Sequence, residues 1–276
     1  MEEEVREMTM KQKTSLSSYE LKQKRLEVLY KLLPVISVLA LIGAWLYMAQ
    51  AIQFPSPLDV WARMMKMFEF PIKGLNIFGH IWASMKRVFI ALAFCWTFGL
   101  AFGIMLGWNE KFRAFCEPLF NAFRAIPPLA WIPLITLWLG IGEFPKVLLV
   151  IIGGLPPIVV NAQAGVSNVP REYLNVGTIF HASKRQKLLQ IAIPSALDAI
   201  FAGIKNSTSS AWVVMLAAEM LGGKSGVGFL ISRGMDSMDM PMIVLCMICI
   251  GIVSALLAIV ISRVERRMCP WLQRKK

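Results

Sequence analysis

Six stretches of this chain are apolar for long enough to cross a bilayer: roughly residues 33–52, 88–107, 119–140, 147–164, 197–220 and 241–262. A membrane-spanning segment must satisfy its own backbone polar groups, so runs of this length fold as helices. The class that follows is an all-α membrane protein with six transmembrane helices and both termini on one side. Composition agrees, since 57% hydrophobic and 17% charged residues with a mean hydropathy of +0.59 are too apolar for a soluble domain. Charge sets the orientation. The net charge of +12 is concentrated in the N-tail, the 108–118 loop, the 165–196 loop and the C-tail. The excess of Lys and Arg on that face places the tails and the long loop in the cytoplasm. These charges flank spans and show no interleaving with aromatics, so a nucleic-acid partner is not expected. The first apolar run begins past residue 30 without a small-residue cleavage site, which argues against a signal peptide.

Between the fourth and fifth runs lies VPREYLNVGTIFHASKRQKLLQIAIP, Val169–Pro194. Its charges exclude it from hydrocarbon. Pro170 suits a first helical turn, and Ser183 with Gln186 three residues on forms a capping box for a second helix. Leu188, Leu189 and Ile191 give that helix an apolar edge. The segment reads as two short helices forming a knob in water that something outside the chain should hold.

The third run contains Pro127, Pro128 and Pro133, each without a donor, so this span is broken or strongly bent. Pro156-Pro157 repeats the device in the fourth. Gly99-x3-Gly103-x3-Gly107 lets another helix approach closely. The fifth run carries Lys205-Asn206-Ser207-Thr208-Ser209-Ser210, the most polar stretch inside any span. Lys205 lies near the bilayer middle. It either lends a pathway a positive field for an anion, or hydrogen-bonds nearby backbone or snorkels inward. Lys86 and Arg87 read as snorkelling at the outer interface, and Arg124 as either lying near the inner interface or facing the pathway. Cys246-x-x-Cys249 has redox or metal spacing but no His or carboxylate partner, so core packing is the expectation and no metal site follows. Gly222-Gly223-Lys224-Ser225 lacks the earlier glycine of a phosphate-binding loop.

Val169–Pro194 resembles the cytoplasmic coupling loop of ABC-importer permeases, with its pattern E-A-A-x3-G-x9-I-x-L-P. It is nearest to the nitrate/taurine/sulfonate group, where the loop often runs VPRELLEAARTLGASRxQLLxxVxLP. Ala182-Ser183 fall on that A-S, His181 on the glycine, and Asn175-Val176-Gly177 on E-A-A. Glu172 lies one turn before Asn175. FRAIPPLAWIPLITLWLGIGE in the third run is similar to the group's RPIPPLAWIPLxxLWFGIGE. Ser84 and Arg87 fall where the core carries a Ser and an Arg, Lys205 where the group often has Arg, and Ala218-Glu219-Met220 on its A-E-M.

The resemblance implies an ABC type-1 importer permease core over 80–263, with its coupling loop at 165–196. An accessory first span and outer linker occupy 32–79, a cytoplasmic N-tail 1–31 and a C-tail 264–276. It also implies two ABC ATPase subunits, a second permease copy and an extracytoplasmic substrate-binding protein as partners, in the inner membrane of a prokaryote. ATP would be bound by the ATPase subunits, with no cofactor on this chain and no enzymatic activity of its own. The cargo implied is a small anion such as taurine, another sulfonate, nitrate or bicarbonate, although some relatives handle vitamin precursors. Coupling residues by this resemblance are Arg171, Glu172, Asn175, Gly177, His181, Ala182, Ser183 and Pro194. Pathway candidates are Pro127, Pro128, Trp131, Lys205, Asn206, Ser209 and Glu219. A secondary transporter would need ionisable groups for ion coupling and leaves the knob unexplained. A membrane enzyme finds only His80 and His181, with no nucleophile–base set.

Overall fold

The computed structural model describes Tyr30 and residues 32–52 and 54–271. The N-tail reading therefore lies outside the described residues apart from Tyr30, as does the C-tail beyond residue 271. Regular structure among the described residues is helical, with one isolated bridge between Ile72 and Leu75. The chain divides into two compact units, one ending at Asp59 and one beginning at Val60. The first contains α1 (Leu32–Ala51), a 20-residue apolar helix.

The remaining helices follow in chain order, and from Val60 on they belong to the second unit. Helix α2 (Pro57–Glu69) begins at a Ser56–Asp59 turn. There the Ser56 N–H and Oγ both donate to Asp59 Oδ2, at 2.8 and 2.7 Å, and hold that carboxyl below its ordinary range. Helix α3 (Ile77–Trp108) passes through one widened π-type turn at Cys95–Gly99. Helix α4 (Glu110–Ala125) is capped by Asn109, whose Oδ1 accepts from the N–H groups of Lys111 and Phe112. A short 3₁₀ turn at Pro128–Trp131 leads into α5 (Ile132–Leu139), and the two halves meet at 83°.

Proline chemistry sets this elbow. A residue before proline is pushed out of the helical region, and both Ile126 (ψ 119°) and Pro127 (ψ 133°) are extended. Gly140, at φ +72°, ends α5. Then follow α6 (Glu143–Ser167), α7 (Arg171–Ile179), α8 (Lys184–Met220), α9 (Val227–Asp236) and α10 (Met240–Met268). Among the described residues, five helices are thus long and apolar enough to span, or six if the bent α4–α5 pair counts as one.

Helix α6 is the centre of the bundle. Val150, Leu149, Val88, Leu92, Trp212 and Met215 share one buried cluster joining α6 to α3 and α8. The glycine repeat of α3 faces α6. A Cβ on Gly103 would stand 2.6 Å from the Val159 carbonyl oxygen, and one on Gly107 2.8 Å from that of Gln163. The repeat thus brings two backbones into contact. Helix α4 climbs beside α6 from the same end. Gln163 donates to Glu117 at 2.7 Å, and Phe120 packs with Ile158 and Val159.

Candidate coupling surface and transport pathway

The knob is built by α7 and the first turns of α8. The second short helix expected here is instead continuous with the fifth span, running from Lys184 to Met220. Its capping box is formed: the Ser183 N–H donates to Gln186 Oε1 at 2.8 Å, and the Gln186 N–H to Ser183 Oγ at 3.3 Å. Pro194 does not break the helix because a π-type turn at Lys187–Ala192 precedes it, and the wider turn accommodates the missing donor.

Helix α7 ends in a Schellman motif. The Ala182 N–H donates to the Gly177 carbonyl (2.8 Å) and the His181 N–H to that of Thr178 (3.0 Å). The motif needs a left-handed residue, and His181 supplies it at φ +53°. This is the position where the resembling loops carry glycine. A non-glycine residue there costs about 1 kcal/mol. His181→Gly is therefore expected to slow limited proteolysis of the knob, because it relieves the strain at the end of α7. Faster proteolysis would instead assign the imidazole a stabilising contact of its own.

Gly177 is buried where α7 crosses α8, and a Cβ there would stand 2.7 Å from Ile191 Cδ1. Arg171, Glu172, Asn175, His181 and Ser183 are exposed around this crossing, while Ala182 is half-buried. Four apolar residues that sequence reasoning did not single out stand exposed on the same knob: Tyr173 (54%), Val176 (51%), Ile179 (74%) and Phe180 (79%). The recurrence of Tyr173, Val176 and Ile179 every three residues along one helix was the available signal. An apolar stripe of this kind in water marks a protein contact.

The pathway candidates do not form one cluster. Pro127, Pro128 and Trp131 make the elbow, where the Trp131 ring lies 5.7 Å from that of Phe123. Asn206 and Ser209 are exposed on one face of α8. Lys205 Nζ donates to Glu265 Oε2 at 2.5 Å, near the end of α10, so its charge is compensated. Glu219 is fully buried at the opposite end of the bundle. It accepts from Ser84 Oγ (2.8 Å), Arg87 Nη1 (2.6 Å) and the Gly228 N–H (2.9 Å).

Arg87 does not snorkel. It is 4% exposed and also bonds Glu143, the Ser225 carbonyl and Ser225 Oγ. The G-K-S stretch is thus a structural turn. His80 joins the network: its Nδ1 accepts the Gly226 N–H and its Nε2 donates to the Ile72 carbonyl, both at 3.1 Å. At φ +113°, and with a Cβ that would come 2.3 Å from the Glu219 carboxyl, Gly226 admits no other residue without rearrangement.

Residues 99–274 match the family described as "Binding-protein-dependent transport system inner membrane component". The chain is 31% identical to the nitrate import permease NrtB of Synechocystis, over 86% of this chain and 89% of that one. It is 30% identical to the taurine transport permease TauC of Escherichia coli (71% of each) and 30% to the bicarbonate transport permease CmpB of Synechococcus elongatus (88% of each). In architecture it is similar to the inward-facing MetNI methionine ABC transporter, with a TM-score of 0.58 at 17% identity over 68% of this chain and 94% of that one. An all-helical chain with several apolar spans, an exposed knob and this family match belongs to the binding-protein-dependent transport system inner membrane components.

Proposed function

We propose that this chain is the membrane pathway of an ATP-driven, binding-protein-dependent importer of a small anion. Two ATPase subunits grip the 165–196 knob in the cytoplasm, a second permease copy completes the pathway, and a binding protein delivers cargo at the opposite face. The observation that carries this reading is the knob itself. It is an ordered, capped helix with an exposed apolar stripe, stacked on a helix that runs unbroken through the membrane. Closure of the ATPase pair on ATP then moves α7, and α8 transmits the displacement along about 55 Å of continuous helix. The positive-inside bias supports both tails on the cytoplasmic side. The nitrate, taurine and bicarbonate permeases among its relatives support a small anionic cargo.

Detergent co-purification tests the assembly. Wild-type permease is expected to retain its cognate ATPase, and a variant with residues 172–192 replaced by a Gly/Ser linker to lose it. A wild-type chain that captures no ATPase and moves solute into vesicles without ATP would instead be a secondary transporter.

A further inference from the structure

Arg124, which the sequence places near the inner interface or facing the pathway, opens its side chain into a cleft of about 460 Å³ shared with Asn121, Asn161, Pro156 and Pro157. The two prolines stand about half-way along the 25-residue α6, so each end of that helix is some 18 Å away. Arg124 and Asn121 are both exposed there. An arginine at this depth cannot face lipid, so the cleft opens to water or to a second copy.

The donor set is specific. Arg124 Nε donates to Asn121 Oδ1 at 2.8 Å, which orients the guanidinium and leaves both terminal nitrogens without a partner among the described residues. Asn161 Nδ2 donates to the Pro157 carbonyl at 2.7 Å, anchoring its amide at the cleft wall. Arg124 makes no ion pair among the described residues. The acidic side chain preceding it on α4, Glu117, is two helical turns away, roughly 10 Å along the axis, and one of its oxygens accepts from Gln163. Lys205, the other cation placed within a span by sequence, is neutralised by Glu265. Arg124 is therefore the uncompensated positive charge at mid-depth.

We propose that Arg124, oriented by Asn121 and flanked by Asn161, is a binding station for a small monovalent oxyanion midway along the pathway. Two parallel N–H groups of a guanidinium match two oxygens of a nitrate, bicarbonate or sulfonate group. The inference rests on the anion-importer reading and gives that cargo a contact inside the membrane.

The test reconstitutes the complete importer in proteoliposomes and measures ATP-dependent uptake of radiolabelled nitrate, bicarbonate and taurine. Removing one charge-assisted contact lowers binding by about 10- to 100-fold, so Arg124→Gln is expected to cut uptake at limiting substrate by that factor. Arg124→Lys should recover part of it. ATP hydrolysis stimulated by the binding protein should persist in both, since the knob is untouched. Wild-type uptake by Arg124→Gln overturns the station while leaving the importer reading intact. Loss of the permease dimer or of ATPase capture in Arg124→Gln overturns it too, by making Arg124 an assembly contact. Failure of the wild-type importer to move any of the three anions overturns the anion reading and the station with it.

Discussion

Replacing Arg87 with alanine is expected to destabilise the folded permease by about 3–5 kcal/mol, the cost of leaving a buried ion pair half-made. The magnitude follows from what remains. Glu219 would keep its bonds from Ser84 and the Gly228 N–H, but stay fully buried without its cation. Glu143, which Arg87 also holds, would retain only a 3.4 Å contact from Lys146. Ser225 would lose both its bonds to the guanidinium, freeing the turn that carries Gly226. Thermal unfolding in detergent reads the effect as a large drop in melting temperature. Adding Glu219→Gln to Arg87→Ala should restore part of the loss, because a neutral amide in that pocket no longer needs the guanidinium. An Arg87→Ala protein melting with the wild type would show the network to be incidental to stability. A double variant that simply sums the two single losses would show instead that Arg87 stabilises the fold other than by compensating Glu219.

This network also marks where sequence reading stops. The apolar run at 88–107 begins after Arg87, because His80, Ser84, Lys86 and Arg87 interrupt the apolarity before it. Helix α3 begins at Ile77, since three of those four side chains are buried and bonded to residues 132–146 positions away. A window of hydropathy sees the charge and not the partner. The apolar run of the fifth span begins at 197, whereas α8 starts at Lys184, outside any apolar run, and carries the second half of the knob as its own first turns. Local chemistry was easier to read. The Ser183–Gln186 capping box, the bend at Pro127-Pro128 and the close approach at Gly103 each depend on a few adjacent residues, and each appears in the fold. The pairing of Lys205 with Glu265 depends on how α8 crosses α10, which no spacing along the chain specifies.

Gly177 carries the second large effect. Its Cβ would meet Ile191 Cδ1, the free end of a flexible side chain, with Lys187 Cγ at 3.4 Å and Ala182 Cβ at 3.8 Å behind it. Gly177→Ala is therefore expected to be tolerated by a rotamer change at Ile191. Gly177→Leu has no such space, and overpacking at about 1–3 kcal/mol is relieved most easily by lifting α7 away from α8. The apolar stripe at Tyr173, Val176, Ile179 and Phe180 would then be displaced relative to α8, which in the proposed importer transmits its motion. The expected result is ATPase capture weakened by roughly 10- to 100-fold and uptake near background, with insertion and melting temperature of the spans unchanged. Phe180→Asp should give the same loss by another route, charging the stripe without disturbing the crossing, since Phe180 is 79% exposed. The pair separates geometry from contact. If Gly177→Leu transports normally, α7 need not be rigidly seated on α8; if Phe180→Asp does, the stripe is not where the ATPase binds.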